Sequence, residues 1–194
     1  MFGGASASVP VPPIEPGVER WGMNALIKMR GHGGRFKGVT RWFDTHTREH
    51  IAGRKEGDMW SWYKGLLIPV YLTKQYDDLP TSEAYPLGAV QAKFGGTRLF
   101  CSGLDYMLAF ALLKKFTDIR LYGFRLTHPG YQHQVGSAAW WLKQCADCGA
   151  TVTCLTPSRL TKIRDVIALP PKPEAHHLMY GFETTDRSKL YHGR

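Results

Sequence analysis

The chain has 194 residues, 43% hydrophobic and 12% aromatic, with a formal net charge of +9. These values suit one globular domain with a real core and exclude a disordered chain. No stretch approaches the roughly 20 apolar residues of a membrane-crossing helix, and the opening MFGGASASVPVPP lacks the basic and apolar regions of a secretion signal. No membrane partner and a cytoplasmic location are therefore expected. The positive charge favours polyanionic partners, namely nucleotides, other phosphorylated small molecules or nucleic acid. It is spread out, with modest clusters at Lys28–Arg41 and Arg48–Lys55, so a solvated basic surface is the alternative reading.

In chain order, Gly3, Gly4, Ala5, Ser6, Ala7 and Ser8 come first. A small-residue loop lets backbone N–H groups approach a phosphate, and serine hydroxyls add donors. A flexible start is the alternative, because only Met1 and Phe2 precede the loop, where a doubly wound domain would place a full strand. Residues 9–17 (VPVPPIEPG) connect rather than build. ERWGMN (19–24) and GVTRWFD (38–44) read as short strands ending on Asn24 and Asp44. Residues 45–65 resist assignment. LLIPVYLT (66–73) suits a buried strand, with Pro69 counting against a central ladder position.

Ser102 is a credible N-cap for a helix in which Leu104, Met107, Leu108, Ala111 and Leu112 repeat at helical spacing. Asp105 sits in its first turn, and Lys114 and Lys115 close it on the side the dipole favours. Ile119 to Gly123 is then a strand. Past it lies a loop with His128, Tyr131, Gln132, His133 and Gln134. Ser137 is placed to cap a second helix, with Ala138, Trp141, Leu142 and Cys145 on one stripe and Gly149 to stop it. TVTCL (151–155) follows as a strand. Strand, crossover helix and strand imply a parallel α/β sheet. The last forty residues are Pro-rich and polar, with LMYGFE as a late strand or docking segment.

Open α/β sheets bind ligands outside the carboxyl ends of their strands, which singles out several residues. Asn24 offers a donor and an acceptor suited to a base edge or ribose. Asp44 suits a ribose hydroxyl or a metal, and His46 two residues on is placed to share that site. Both residue types also end strands simply because they favour turns. Ser102 and Gly103 open a helix, where unpaired N–H groups and the dipole favour an anion. His133 is a candidate general base, and Tyr131 a donor to a departing phosphate oxygen. Cys145 and Cys148 form a CxxC near a helix C-terminus, the wrong end to lower a thiol pKa, and it has no partner motif. Packed or free thiols are expected there, and no metal site. His176 and His177 are adjacent in sequence, a poor spacing for shared chelation.

As an ordered set, WGMN at Asn24, the CSGLDYM helix start, DIRLYGF and VTCLTPSRL resemble the bacterial CMP-sialic-acid-dependent sialyltransferases. That family carries a Gly-Asn-Gly-Pro-Ser loop, an Arg-Cys-Asn strand end, a Thr-Ser-Gly helix start and an Ile-Tyr-Leu-x-Gly-x-Asp strand. The same layout occurs in archaeal-type pterin diphosphokinase-like proteins. A group of tailed-phage proteins is more similar still, with a GS-x-PSS loop, a Trp-Gly-Cys-Asn-like strand, WFE-x-H (here Trp42 to His46), a PVY strand and a LYG-V-D-M strand. The resemblance covers most of residues 1–160.

It implies a Rossmann-like three-layer α/β fold with a mostly parallel central sheet, one nucleotide-binding domain over 1–183 and a loose tail over 184–194. It also implies a nucleotide or nucleotide-sugar ligand of the CMP type. Gly3, Gly4, Ser6 and Ser8 would face the phosphate, and Asn24 and Asp44 the cytidine or ribose. Ser102 and Gly103 would hold the nucleotide from the other side, with His133 and Tyr131 at the catalytic positions. The departures are a GGASAS loop without Asn or Pro-Ser, Arg125 where Asp is usual in LYGFRL, and no helical lid. Three readings stay open: a phage-encoded glycosyltransferase-like enzyme in the host cytoplasm, a non-catalytic nucleotide-binding or sequestering protein, and a virion, assembly or nucleic-acid-binding component that retains the fold.

Overall fold

The computed structural model describes residues 1, 13–24, 37–54, 57–97, 99–124, 126 and 132–156. The GGASAS loop, Arg125, His128, Tyr131, His176, His177, LMYGFE and the 184–194 tail lie outside them. The elements run β1 (Trp21–Met23), β2 (Arg41–Phe43), α1 (Arg48–Ala52), α2 (Met59–Lys64), β3 (Val70–Leu72), β4 (Ser82–Ala84), α3 (Leu87–Lys93), α4 (Gly103–Leu113), β5 (Asp118–Leu121), α5 (Gln132–Asp147) and β6 (Thr151–Cys154).

β1 to β4 pair in chain order as a four-stranded parallel sheet, and β5 pairs in parallel with β6. The expected β5–α5–β6 crossover is therefore present. Met1 extends that pair: its N donates to Arg120 O at 2.8 Å, and its O accepts from Tyr122 N at 3.0 Å. That is the bond pattern of a parallel bridge to Leu121. Pro69 precedes β3, and its carbonyl still accepts from Trp42 N at 2.9 Å, so the proline removes a donor where only an acceptor is used.

Successive strand residues point to opposite faces, and in β2 this separates two layers. Phe43 stacks on Tyr71 at 5.0 Å and meets Phe110 of α4 edge-on at 5.4 Å. Trp42, its neighbour, meets Trp62 of α2 at 4.8 Å. The sheet thus lies between α4 and α2, which is the three-layer α/β arrangement. α4 is buried from Gly103 through Leu112, so it forms the centre of the molecule rather than an amphipathic cover. Phe110 also meets Trp21 and Tyr71, and the Tyr85 hydroxyl donates to Tyr106 O at 2.9 Å.

Local signals explain most helix ends. Thr47 accepts from His50 N and Asp58 from Ser61 N, starting α1 and α2 in the stretch the sequence leaves unassigned. Gly149 adopts φ 75°, with Gly149 N bonding Ala146 O and Ala150 N bonding Cys145 O. This is a Schellman end at the residue expected to stop the helix. Lys115 ends α4 in the same way at φ 64°, with Lys115 N bonding Leu112 O and Phe116 N bonding Ala111 O.

One cap is corrected. α5 begins at Gln132, so Ser137 is an interior residue and not an N-cap, and Gln132, His133 and Gln134 belong to the helix rather than to a loop. Ser137 is fully buried, its Oγ 2.8 Å from Asp105 Oδ2 and 3.0 Å from Leu99 O. Its hydroxyl is spent on tertiary contacts instead of on its own helix start.

Candidate functional site

The carboxyl edge of β1 and β2 meets the N-terminus of α4. Asn24 follows β1 in the left-handed region, at φ 51°, where Asn is tolerated because its short amide bonds locally. Its backbone is held on both sides. Asn24 N donates to Phe43 O at 2.9 Å, and its carbonyl accepts from Trp42 Nε1 at 3.1 Å, with the Tyr63 hydroxyl oxygen 3.5 Å away. The side-chain amide reaches toward α4, with Nδ2 3.8 Å from where a Cβ on Gly103 would stand. That Cβ would also overlap Met23 Cε. Asn24 and Gly103, 79 positions apart in the sequence, are therefore brought together.

Ser102 caps α4 from an extended backbone. Asp105 reaches back to it, its Oδ2 accepting from Ser102 N at 2.8 Å and Cys101 N at 2.7 Å. Ser102 Oγ stands in the capping-box position, yet it is buried and makes no well-formed hydrogen bond among the described residues. Burial raises the Asp105 pKa to about 7, against the hydrogen bonds from Ser137, Ser102 and Cys101 that pull it down. A carboxylate of the chain thus occupies part of the helix start that the sequence reads as an open anion site.

Asp44 closes β2 and is fully buried. Arg54 grips it with two bonds, Nη1 to Oδ2 at 2.6 Å and Nη2 to Oδ1 at 3.1 Å. The Tyr63 hydroxyl donates to Oδ2 at 2.5 Å, and His46 N and Nδ1 lie 3.2 and 2.6 Å from Oδ1. Burial alone would raise the Asp44 pKa, but His46 and Arg54 outweigh it and hold it at about 2. The same burial, together with the Asp44 charge, pushes the Tyr63 phenol well above its ordinary value. Asp44 is ionised, and its oxygens face the chain's own donors rather than an open surface.

His133 lies in the first turn of α5, and Gly3, Gly4, Ser6, Ser8 and Tyr131 lie outside the described residues. No group of three or more His, Cys, Asp or Glu side chains is placed to hold a metal among the described residues. None of the four cysteines forms a disulfide, and burial pushes the Cys145 thiol up to about 12. A cavity of about 310 Å³ lies at the other end of the strands, against Arg20 and Trp21 of β1, Ile119 and Arg120 of β5, and Phe116. Charges on its wall pair among themselves, as in Arg120 with Glu15 and Asp118.

Arg54, Tyr63 and Ser137 complete these two clusters and carry no motif. The Asp-x-His spacing at a strand end and the Ser-x-x-Asp spacing of a capping box are the sequence signals. No family model, curated protein or solved structure matches the chain. No helix among the described residues is long and apolar enough to cross a membrane.

Proposed function

We propose that this chain binds a nucleotide or nucleotide-sugar at the carboxyl edge of β1 and β2, against the start of α4. The observation that carries the reading is the left-handed Asn24, whose amide faces Gly103 at the rim where α/β sheets take ligands. An amide supplies a donor and an acceptor, as a base edge or ribose requires, and by the resemblance Ser102 and Gly103 hold the nucleotide from the other side. The net charge of +9 draws phosphorylated ligands. The resemblance to sialyltransferases and tailed-phage proteins adds a CMP-type ligand and a phage-encoded, glycosyltransferase-like chemistry, with His133 and Tyr131 at the catalytic positions.

Calorimetry with CMP, CDP, UMP and UDP sugars tests this reading. Binding is expected, weakened about tenfold by Asn24→Ala, the loss of one good hydrogen-bonding group. A folded chain that binds none of them refutes the reading. Retention on DNA that falls steeply with salt would favour nucleic acid instead.

A further inference from the structure

We propose that the cavity at the amino ends of β1 and β5 binds an extended peptide segment, which adds as a parallel strand between the two. This site is separate from the nucleotide edge and does not depend on that reading.

Both walls present main chain. In β1, Arg20 O and Asn24 N bond β2. Alternation therefore turns the N–H and C=O of Trp21 away from β2, and Trp21 lines the cavity. Neither group has a backbone partner among the described residues. In β5, Thr117 O and Leu121 O bond β6, so Asp118, Arg120 and Tyr122 direct their groups to the opposite edge. There Arg120 O and Tyr122 N bracket Met1 at 2.8 and 3.0 Å. The same bracket recurs two residues earlier as Asp118 O and Arg120 N, and both of those residues line the cavity. Met1 thus displays the pairing that the cavity wall repeats.

A ligand here meets two facing strand edges. An extended main chain carries donors and acceptors alternately to both sides, and an added strand draws its affinity from such bonds. The strand runs parallel to β5. An antiparallel strand would exchange both Arg120 bonds with one residue, and Arg120 O is already spent on Met1. Val18, Ala111 and Phe116 give the cavity apolar walls, which favours apolar side chains. Of the carboxylates on the wall, Glu15 and Asp118 pair with Arg120 and Glu19 pairs with Arg41. Lys115, on the same wall, is in none of the ion pairs among the described residues. It stands between the end of α4 and the start of β5, so an acidic residue is favoured at the amino end of the segment.

The test follows amide hydrogen exchange by NMR as the chain is titrated with two acetylated, amidated peptides, Glu-Val-Ile-Val and Lys-Val-Ile-Val. Exchange of the Trp21 and Arg120 amides is expected to slow about tenfold or more at saturation. The Glu peptide should bind about threefold tighter, a preference lost in Lys115→Asn. Methylating either central peptide amide should weaken binding about tenfold, because successive amides bond opposite edges. Val18→Trp, at a position 42% exposed and so tolerant of substitution, should block the cavity and abolish protection. Failure of both peptides to bind overturns the proposal, as does binding that leaves both amides unprotected. Protection of Arg120 alone overturns insertion between two edges. Protection indifferent to N-methylation overturns main-chain recognition, and equal affinity for the two peptides overturns the acidic preference.

Discussion

Trp42 stands directly opposite Gly22 in the register of β1 and β2, and its indole covers the face of Gly22 that a side chain would occupy. A Cβ there would lie 2.5 Å from Cε3 and 2.8 Å from Cη2 of the ring. The same ring donates its N–H to the Asn24 carbonyl. The glycine thus admits a tryptophan that packs on Trp62 and at the same time pins the backbone of the ligand edge.

Gly22→Ala should destabilise the chain by about 1–3 kcal/mol, the range for overpacking a well-packed core. Trp42 is 1% exposed and has nowhere to retreat. Denaturant unfolding measures this, and a wild-type midpoint would contradict the packing described.

Lys115 holds a left-handed conformation at the end of α4 that costs a non-glycine residue about 1 kcal/mol. Lys115→Gly should raise stability by about that amount, whereas Lys115→Ala should not. Thermal unfolding of the two variants side by side separates the backbone effect from loss of charge.

Arg54→Ala leaves the Asp44 carboxylate buried without its cation and should cost about 3–5 kcal/mol. The Asp44 pKa of about 2 lies below its ordinary value of 3.8. The unfolded chain therefore takes up this proton first on acidification. The stabilisation is complete above about pH 4 and is lost as pH falls toward 2. Stability measured against pH in wild type and Asp44→Asn should differ in slope within that window.

Asp105 acts with the opposite sign. Its pKa of about 7 lies above the ordinary 3.8, so the folded chain holds a proton that the unfolded chain releases. Its contribution is complete below about pH 4 and is lost as pH rises toward 7, at up to about 1.4 kcal/mol per pH unit. Asp105→Asn keeps an acceptor for Cys101 and Ser102 N–H, and it should flatten the profile between those limits. A profile identical to wild type would show that Asp105 does not titrate there.

Sequence by itself determined the features that depend on near neighbours. The α4 periodicity, the Ser102 start, the Gly149 stop, and the parallel pairing implied by strand, helix and strand are all written within a few residues of where they act. The short strands were legible too, and Asn24 and Asp44 stand at their ends. α1 and α2 were not legible, because helices of five and six residues show too little periodicity. β4 and α3 were missed for the same want of length. Ser137 reads as a cap on local rules, and only packing against Asp105 and Leu99 made it a buried interior residue. Tertiary structure decided what encloses Asp44. Arg54 and Tyr63 reach it from separate positions along the chain, and Arg54 joins the near neighbour His46 in holding it ionised against its burial. Such partners are chosen by which surfaces meet, and no spacing along a chain records that.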